Sequence, residues 1–294
     1  MIDRILVPLD GSPLAECVLP HALSVGRALE ARVTLFRAVE RERRPGSRAV
    51  DPLEWHMRKS EAESYLREVS ERLRGEGLQA DTVLAEGKAA ERILRYLREH
   101  DVGLVIISSH GESGLSEWNI SSVVQKVILR AYLPVMIVRA YAKTPEDWTE
   151  LRYRKLLVPL DGSKRAECTL PWANDLAGFH QAKLVLAHVV NRPEVPRRAP
   201  LTEEENGLVQ RLTDLNEENG EAYLEDLSSR LSVGAEPRLL VNDDPAMALH
   251  RVVDTDEIDL VVMAAHGYSG ETRWPYGSTA LNFIAYGSKP LLMI

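Results

Sequence analysis

Little in this chain points to disulfide, zinc or membrane chemistry. It has two cysteines in 294 residues, Cys17 and Cys168. Two are too few for a disulfide framework or a cysteine-built zinc site. No apolar run reaches the roughly 18 residues that cross a bilayer. The opening MIDRILVPLDGS lacks the form of a signal peptide, because its apolar part is short and an acidic residue precedes it. The expectation is a cytoplasmic protein with no membrane partner. Basic patches interleaved with aromatics are also missing, and the net charge is −8. Nucleic acid is therefore not expected as the main partner. Arg41, Arg43 and Arg44 stand beside Glu40 and Glu42, and read as a solvated loop. There is no GxxxxGK[ST] run and no kinase signature set, so fast phosphoryl transfer is not expected.

What is present is an ordinary globular composition, with 45% apolar and 27% charged residues. It is arranged as a tandem repeat. Leu6 to Ser12 and Leu157 to Ser163 both read LVPLDGS. Ala15-Glu16-Cys17 recurs as Ala166-Glu167-Cys168, and Leu19-Pro20 as Leu170-Pro171, all offset by 151 residues. His110-Gly111 recurs as His266-Gly267, and Pro134 as Pro290, offset by 156. Five residues therefore enter the second copy between its first helix and its fourth strand. The repeat is too long for a solenoid unit, so each copy needs its own core. The domains are expected at 1–140 and 153–294, joined by a polar linker over Tyr141 to Arg152 that Trp148 can pin to a domain.

Within the first copy, Ile2 to Val7 reads as a strand buried on both faces. Ser12 and Pro13 read as the N-cap and first residue of a helix running to about Leu29. Strands are expected at Arg32 to Val39, Ala80 to Ala85, Val102 to Ser108 and Val135 to Val138. Helices are expected at Glu54 to Gly75, Ala89 to Glu99 and Asn119 to Ala131. The second copy repeats this from Arg154. Strands alternating with helices predict an α/β fold: two tandem flavodoxin-like domains, each a five-stranded parallel sheet of order 3-2-1-4-5 with helices on both faces. The chain reverses between strands one and four, and ligands bind at such switch points. The VPLDGS and HG motifs follow those two strands and should flank one crevice.

The two turns after strand four differ. The second copy reads LVVMAAHGYSGETRWPYGS from Leu260 to Ser278, and the first LVIISSHGESGLSEWNISS from Leu104 to Ser122. Glycines allow backbone to approach an anion, and a helix start offers outward N–H groups. Gly267, Gly277 and Ser278 suit that use. Asp161 has two readings, a carboxylate near a nucleotide or its divalent cation, or a turn residue bonding nearby backbone. Asp10 has the same two. His110 and His266 read as structural, since neither has a nucleophile in an elbow motif. Cys17 and Cys168 read as small buried residues of helix one.

This combination resembles the universal stress protein family in its tandem form, over nearly the whole chain and twice. The family pattern is glycine, two residues, glycine, nine residues, then glycine followed by serine or threonine. The second copy departs only at Ala264. The first has Ser108 and Ser121 in place of two of the three glycines. The resemblance, which shares the adenine nucleotide alpha hydrolase-like fold, implies ATP as ligand, with Mg or Mn as its counter-ion. Carried over by position, Pro159, Asp161, Ala264 and Gly267 would lie by the ribose and phosphates. Val189 would face adenine, and Gly277, Ser278 and Thr279 the phosphates. Asp161 is the one residue nominated for a metal. The weaker first-copy set is Pro8, Asp10, Ala38, Ser108, Gly111, Ser121, Ser122 and Val123. The resemblance further implies pairing of the two copies through their short apolar fifth strands, and is compatible with a homodimer.

Two functional alternatives stand beside an ATP-binding regulator with slow or no hydrolysis. One is a scaffold of the same family that binds no nucleotide. The other is a true ATP hydrolase, for which the sequence nominates only Asp161 and His266. A phosphoacceptor receiver domain is excluded, because Ala85 and Val241 stand where its aspartate should end strand three. The long loops at Glu40 to Leu53 and Asn191 to Glu205 are candidate lids or partner surfaces.

Overall fold

Apolar runs bounded by turn residues become strands throughout. A computed structural model describes residues 2–41, 51–111, 120–142, 145–193, 200–268 and 276–294. Arg43, Arg44, Gly270, Asn119 and the middle of both long loops lie outside these residues. The chain divides into two units, Met1–Arg152 with Ile284–Leu292, and Tyr153–Phe283 with Met293–Ile294.

The first unit runs β1 (Arg4–Pro8), α1 (Pro13–Glu16), α2 (Val18–Ala28), β2 (Arg32–Val39), α3 (Pro52–Gly75), β3 (Ala80–Glu86), α4 (Ala89–Glu99), β4 (Leu104–Ser108), α5 (Ser122–Ala131) and β5 (Val135–Val138). Its strands lie in the order β3-β2-β1-β4-β5. The registered pairs are parallel, with Leu6 opposite both Thr34 and Val105. β4 and β5 are buried at every position, which needs cover on both faces. The second copy runs β6 (Lys155–Leu160), α6 (Lys164–Glu167), α7 (Leu170–His180), β7 (Lys183–Val190), α8 (Glu203–Arg230), β8 (Ala235–Val241), α9 (Pro245–Thr255), β9 (Leu260–Met263), α10 (Ser278–Tyr286) and β10 (Leu291–Met293). β8, β7, β6 and β9 follow the same order, again in parallel. The doubly wound fold predicted from the repeat is therefore present twice.

The first helix departs from expectation. It breaks at Cys17, between α1 and α2, and its counterpart breaks at Cys168 and Thr169, between α6 and α7. Pro20 and Pro171 explain this. A proline lacks an N–H and its ring collides with the carbonyl four residues back, here that of Glu16 and Glu167. The fourth helix starts at Ser122 because Ser121 caps it, its hydroxyl accepting from the Val124 amide. Trp148 is buried in a short 3₁₀ turn, Trp148–Glu150, under the Arg72 guanidinium 3.5 Å from its ring centroid. That contact pins the linker to the first unit.

The two cysteines also part company. Cys17 is buried and its thiol donates to Ser108 Oγ at 3.3 Å, while Cys168 is exposed. The expectation of two buried cysteines is corrected for Cys168. Ser108 has Ala264 as its counterpart, so the second copy has no such hydroxyl to receive the thiol. Burial pushes the Cys17 thiol up to about 11, where little reactive thiolate exists at neutral pH. Maleimide should label one thiol per folded chain, at Cys168, and two in guanidinium chloride. Equal labelling of both in the folded protein would contradict this placement.

Candidate functional site

The second copy places its two repeated motifs side by side, as the switch point requires. β6 ends at Leu160, and the chain turns through Gly162 at φ 81°. That left-handed conformation favours glycine. Asp161 accepts at Oδ1 from the Ser163 amide at 3.0 Å and its hydroxyl at 2.6 Å. Its Oδ2 accepts from the amide of Tyr268. The carboxylate thus ties the turn after β6 to the turn after β9. A Cβ on Gly267 would overlap that same Oδ2. Gly267 is thus needed for close approach and not for a left-handed backbone. Replacing Gly267 with Ala should break the Asp161–Tyr268 link and lower the unfolding free energy by about 1–3 kcal/mol. An unchanged denaturant midpoint would show that the turns are not coupled in this way.

Between these turns lies a cavity of about 750 Å³, within the size range of small-molecule sites. Every residue nominated in the second copy lines it: Pro159, Asp161, Val189, Ala264, Gly267, Gly277, Ser278 and Thr279. One wall comes from α8, through Asn216, Asn219, Gly220 and Tyr223. Gly220 lets that wall lie close to the sheet, since a Cβ there would stand 2.7 Å from Leu239 Cδ1. The α8 residues, and Leu249 of α9, are missed by motif reading. Their signal was small and polar residues on one helical face, Asn216, Gly220 and Tyr223 falling at i, i+4 and i+7. The Tyr223 hydroxyl donates to Glu167 at 3.4 Å. Burial first, and then the Glu167 carboxylate, push that phenol upward, so it stays a hydrogen-bond donor.

Gly277 begins α10. Its amide donates to the Ala265 carbonyl at 2.8 Å, and its carbonyl accepts from the Leu281 amide at 2.9 Å. A Cβ added there would meet Ala265 O at 3.7 Å and nothing nearer, an ordinary contact. The first copy makes the same backbone bonds with Ser121, to Ser109 at 2.7 Å and from Gln125 at 3.0 Å. The fold therefore tolerates a side chain at this position. Glycine has no side chain to cap the first turn of α10, whereas the Ser121 hydroxyl accepts from the Val124 amide of α5.

In the first copy, Asp10 and Gly111 repeat the Ser turn and the close approach. Asp10 Oδ1 accepts from the Ser12 amide at 2.9 Å and hydroxyl at 2.6 Å, and a Cβ on Gly111 would overlap Asp10 Oδ2. Ala38 lies on β2 and Ser122 opens α5. His110 is buried, its Nδ1 3.1 Å from Ser109 Oγ. His266 lines the second-copy cavity. Among the described residues no cluster of three His, Cys, Asp or Glu side chains could hold a metal. Asp161 is the single carboxylate nominated, and three protein donors already engage it. A cation site built by protein alone does not fit here. A divalent cation could share Asp161 only if nucleotide phosphates supplied its other ligands.

Comparison with known proteins agrees with the repeat. The model of the universal stress protein family matches residues 1–139 and again 152–294. The universal stress protein YxiE of Bacillus subtilis is 29% identical over 150 residues, covering 47% of this chain and all of that protein. A universal stress protein of Methanocaldococcus jannaschii is 25% identical over 141 residues, covering 47% of this chain and 83% of the relative. The crystal structure of a universal stress protein from Archaeoglobus fulgidus shares the fold over 99% of this chain and 97% of its own, with a TM-score of 0.68 at 17% identity. With two matches that together span nearly its whole length, this chain belongs to the universal stress protein family.

Proposed function

We propose that the second repeat binds ATP as a regulatory ligand, with slow or no hydrolysis, in a cytoplasmic stress-response protein. The observation that carries this reading is Gly277. The fold accepts a side chain there, and the chain nevertheless keeps glycine just before α10, where it lines a cavity of about 750 Å³. In this reading Gly277, Ser278 and Thr279 hold phosphates. Pro159, Asp161, Ala264 and Gly267 border ribose and phosphates, and Val189 borders adenine. Any Mg or Mn ion arrives with the nucleotide and shares Asp161. Asp10, Ala38, Gly111 and Ser122 form the weaker counterpart. The domain limits proposed are 1–140 and 153–294. Pairing of the repeats through their fifth strands is part of the same proposal, which rests on the two short, wholly apolar strands Val135–Val138 and Leu291–Met293. No helix among the described residues is long and apolar enough to cross a membrane.

The second reading, a scaffold without nucleotide, is favoured for the first repeat alone, where Ser121 caps the helix that Gly277 leaves open. The test is the nucleotide content of the purified full-length chain. Denaturation should release adenine nucleotide, or added ATP should bind saturably. Protein that neither carries nor binds adenine nucleotide is the scaffold.

A further inference from the structure

The first crevice differs from the second at its β2 wall as well as at its glycines. In the strand registers of the two repeats, Pro8 lies opposite Phe36 and Pro159 opposite Ala187. Phe36 and Arg37 therefore hold the places of Ala187 and His188. Phe36 is 2% exposed, with its ring 5.5 Å from that of Tyr96 on α4. Ala187 lines the open cavity instead. The Arg37 guanidinium lies over Gly11. Its two terminal nitrogens are both 2.9 Å from where a Cβ on that glycine would stand. It also sits 5.2 Å from the Tyr65 ring centroid, an attractive cation–π geometry. At the matching turn, Gly162 has nothing within 4 Å of the same point. His188 turns aside, its Nδ1 bonding the Leu160 carbonyl at 2.9 Å. A carbonyl only accepts, so that nitrogen carries the proton.

We infer that Phe36 and Arg37 plug the first crevice from within, and that this pair, together with the lost glycines, decides which repeat takes nucleotide. The phenyl ring is buried against Tyr96 beside β1, where the second repeat carries only the methyl group of Ala187. The guanidinium covers the strand-one turn, held there by the face of Tyr65. Gly11 keeps its left-handed φ of 88°, so the turn beneath the plug retains the form of the open one. This inference rests on the reading of the second crevice as an ATP site.

The experiment is equilibrium dialysis of the intact chain with labelled ATP, on wild type and three variants, with circular dichroism confirming the fold. Wild type should bind one ATP. Arg37→His alone, and Phe36→Ala with Arg37→His, should each add a second saturable site, at least tenfold weaker than the first because Ser121 remains. Ala187→Phe with His188→Arg should remove binding from the second crevice. Arg37→His keeps the test valid if loss of the buried phenyl ring unfolds the double variant. Variants of the first crevice that bind the same number of ATP as wild type overturn the plug. So does a wild-type chain that already binds two. A wild-type chain that binds none refutes the ATP reading, and the plug is then judged by whether the first-crevice variants gain one.

Discussion

Gly277→Ser is expected to weaken ATP binding at least tenfold, about 1.4 kcal/mol, with little change in unfolding midpoint. The two halves of that expectation have separate physical sources. The midpoint should hold because a Cβ at 277 finds no neighbour closer than 3.7 Å and because Ser121 makes the same backbone bonds in the first repeat. A serine cap on α10 should even favour the helix slightly, since serine is among the preferred capping residues. Binding should fall because the new hydroxyl competes for the first-turn amides, as Ser121 Oγ does for that of Val124. A ligand anion must then displace it and also clear the added atoms. A variant that binds ATP as tightly as wild type would remove Gly277 from the site.

Arg139→Ala carries the largest stability effect, a loss of about 3–5 kcal/mol. Arg139 is 0% exposed and donates to the carbonyl of Ile284 at 3.1 Å. That carbonyl is in the last turn of α10, where helix carbonyls run out of intrahelical donors. A cation is also favoured there by the helix dipole. Burial draws the guanidinium below its ordinary value, opposed by the nearby Tyr141, yet arginine begins so high that it stays charged. Truncation removes the donor, leaves the carbonyl buried and opens a void. Arg139→Met keeps most of the volume and should lose roughly 1–3 kcal/mol, the part owed to the carbonyl. Urea unfolding of the two variants separates these terms. An alanine variant within about 1 kcal/mol of wild type would show that the guanidinium contributes no net stability.

The elements most legible in the sequence were those with unbroken local logic. β2, α4 and β5 fall where periodicity and turn residues put them. Their burial pattern and length point the same way. The helix after β1 was misread as continuous because Pro20 acts on the carbonyl of Glu16, four residues earlier. Cys168 was misread because identical local sequence does not carry its surroundings, and Ser108 and Ala264 are distant from the cysteines along the chain. The strand-four and strand-one motifs marked two sides of the candidate site. The remaining wall, with Asn216, Gly220 and Tyr223, lies on α8, and only the fold brings it to β7. Phe36 and Arg37 stood in plain view against Ala187 and His188. Side-chain volume in a strand becomes informative only once a cavity is known to adjoin it.

The most direct test of the account is calorimetric titration of ATP into the intact chain, side by side with Gly277→Ser. The account predicts one saturable site per wild-type chain and at least a tenfold weaker site in the variant, with both proteins unfolding at the same temperature. Absence of binding to wild type, or equal binding to both proteins, would contradict it.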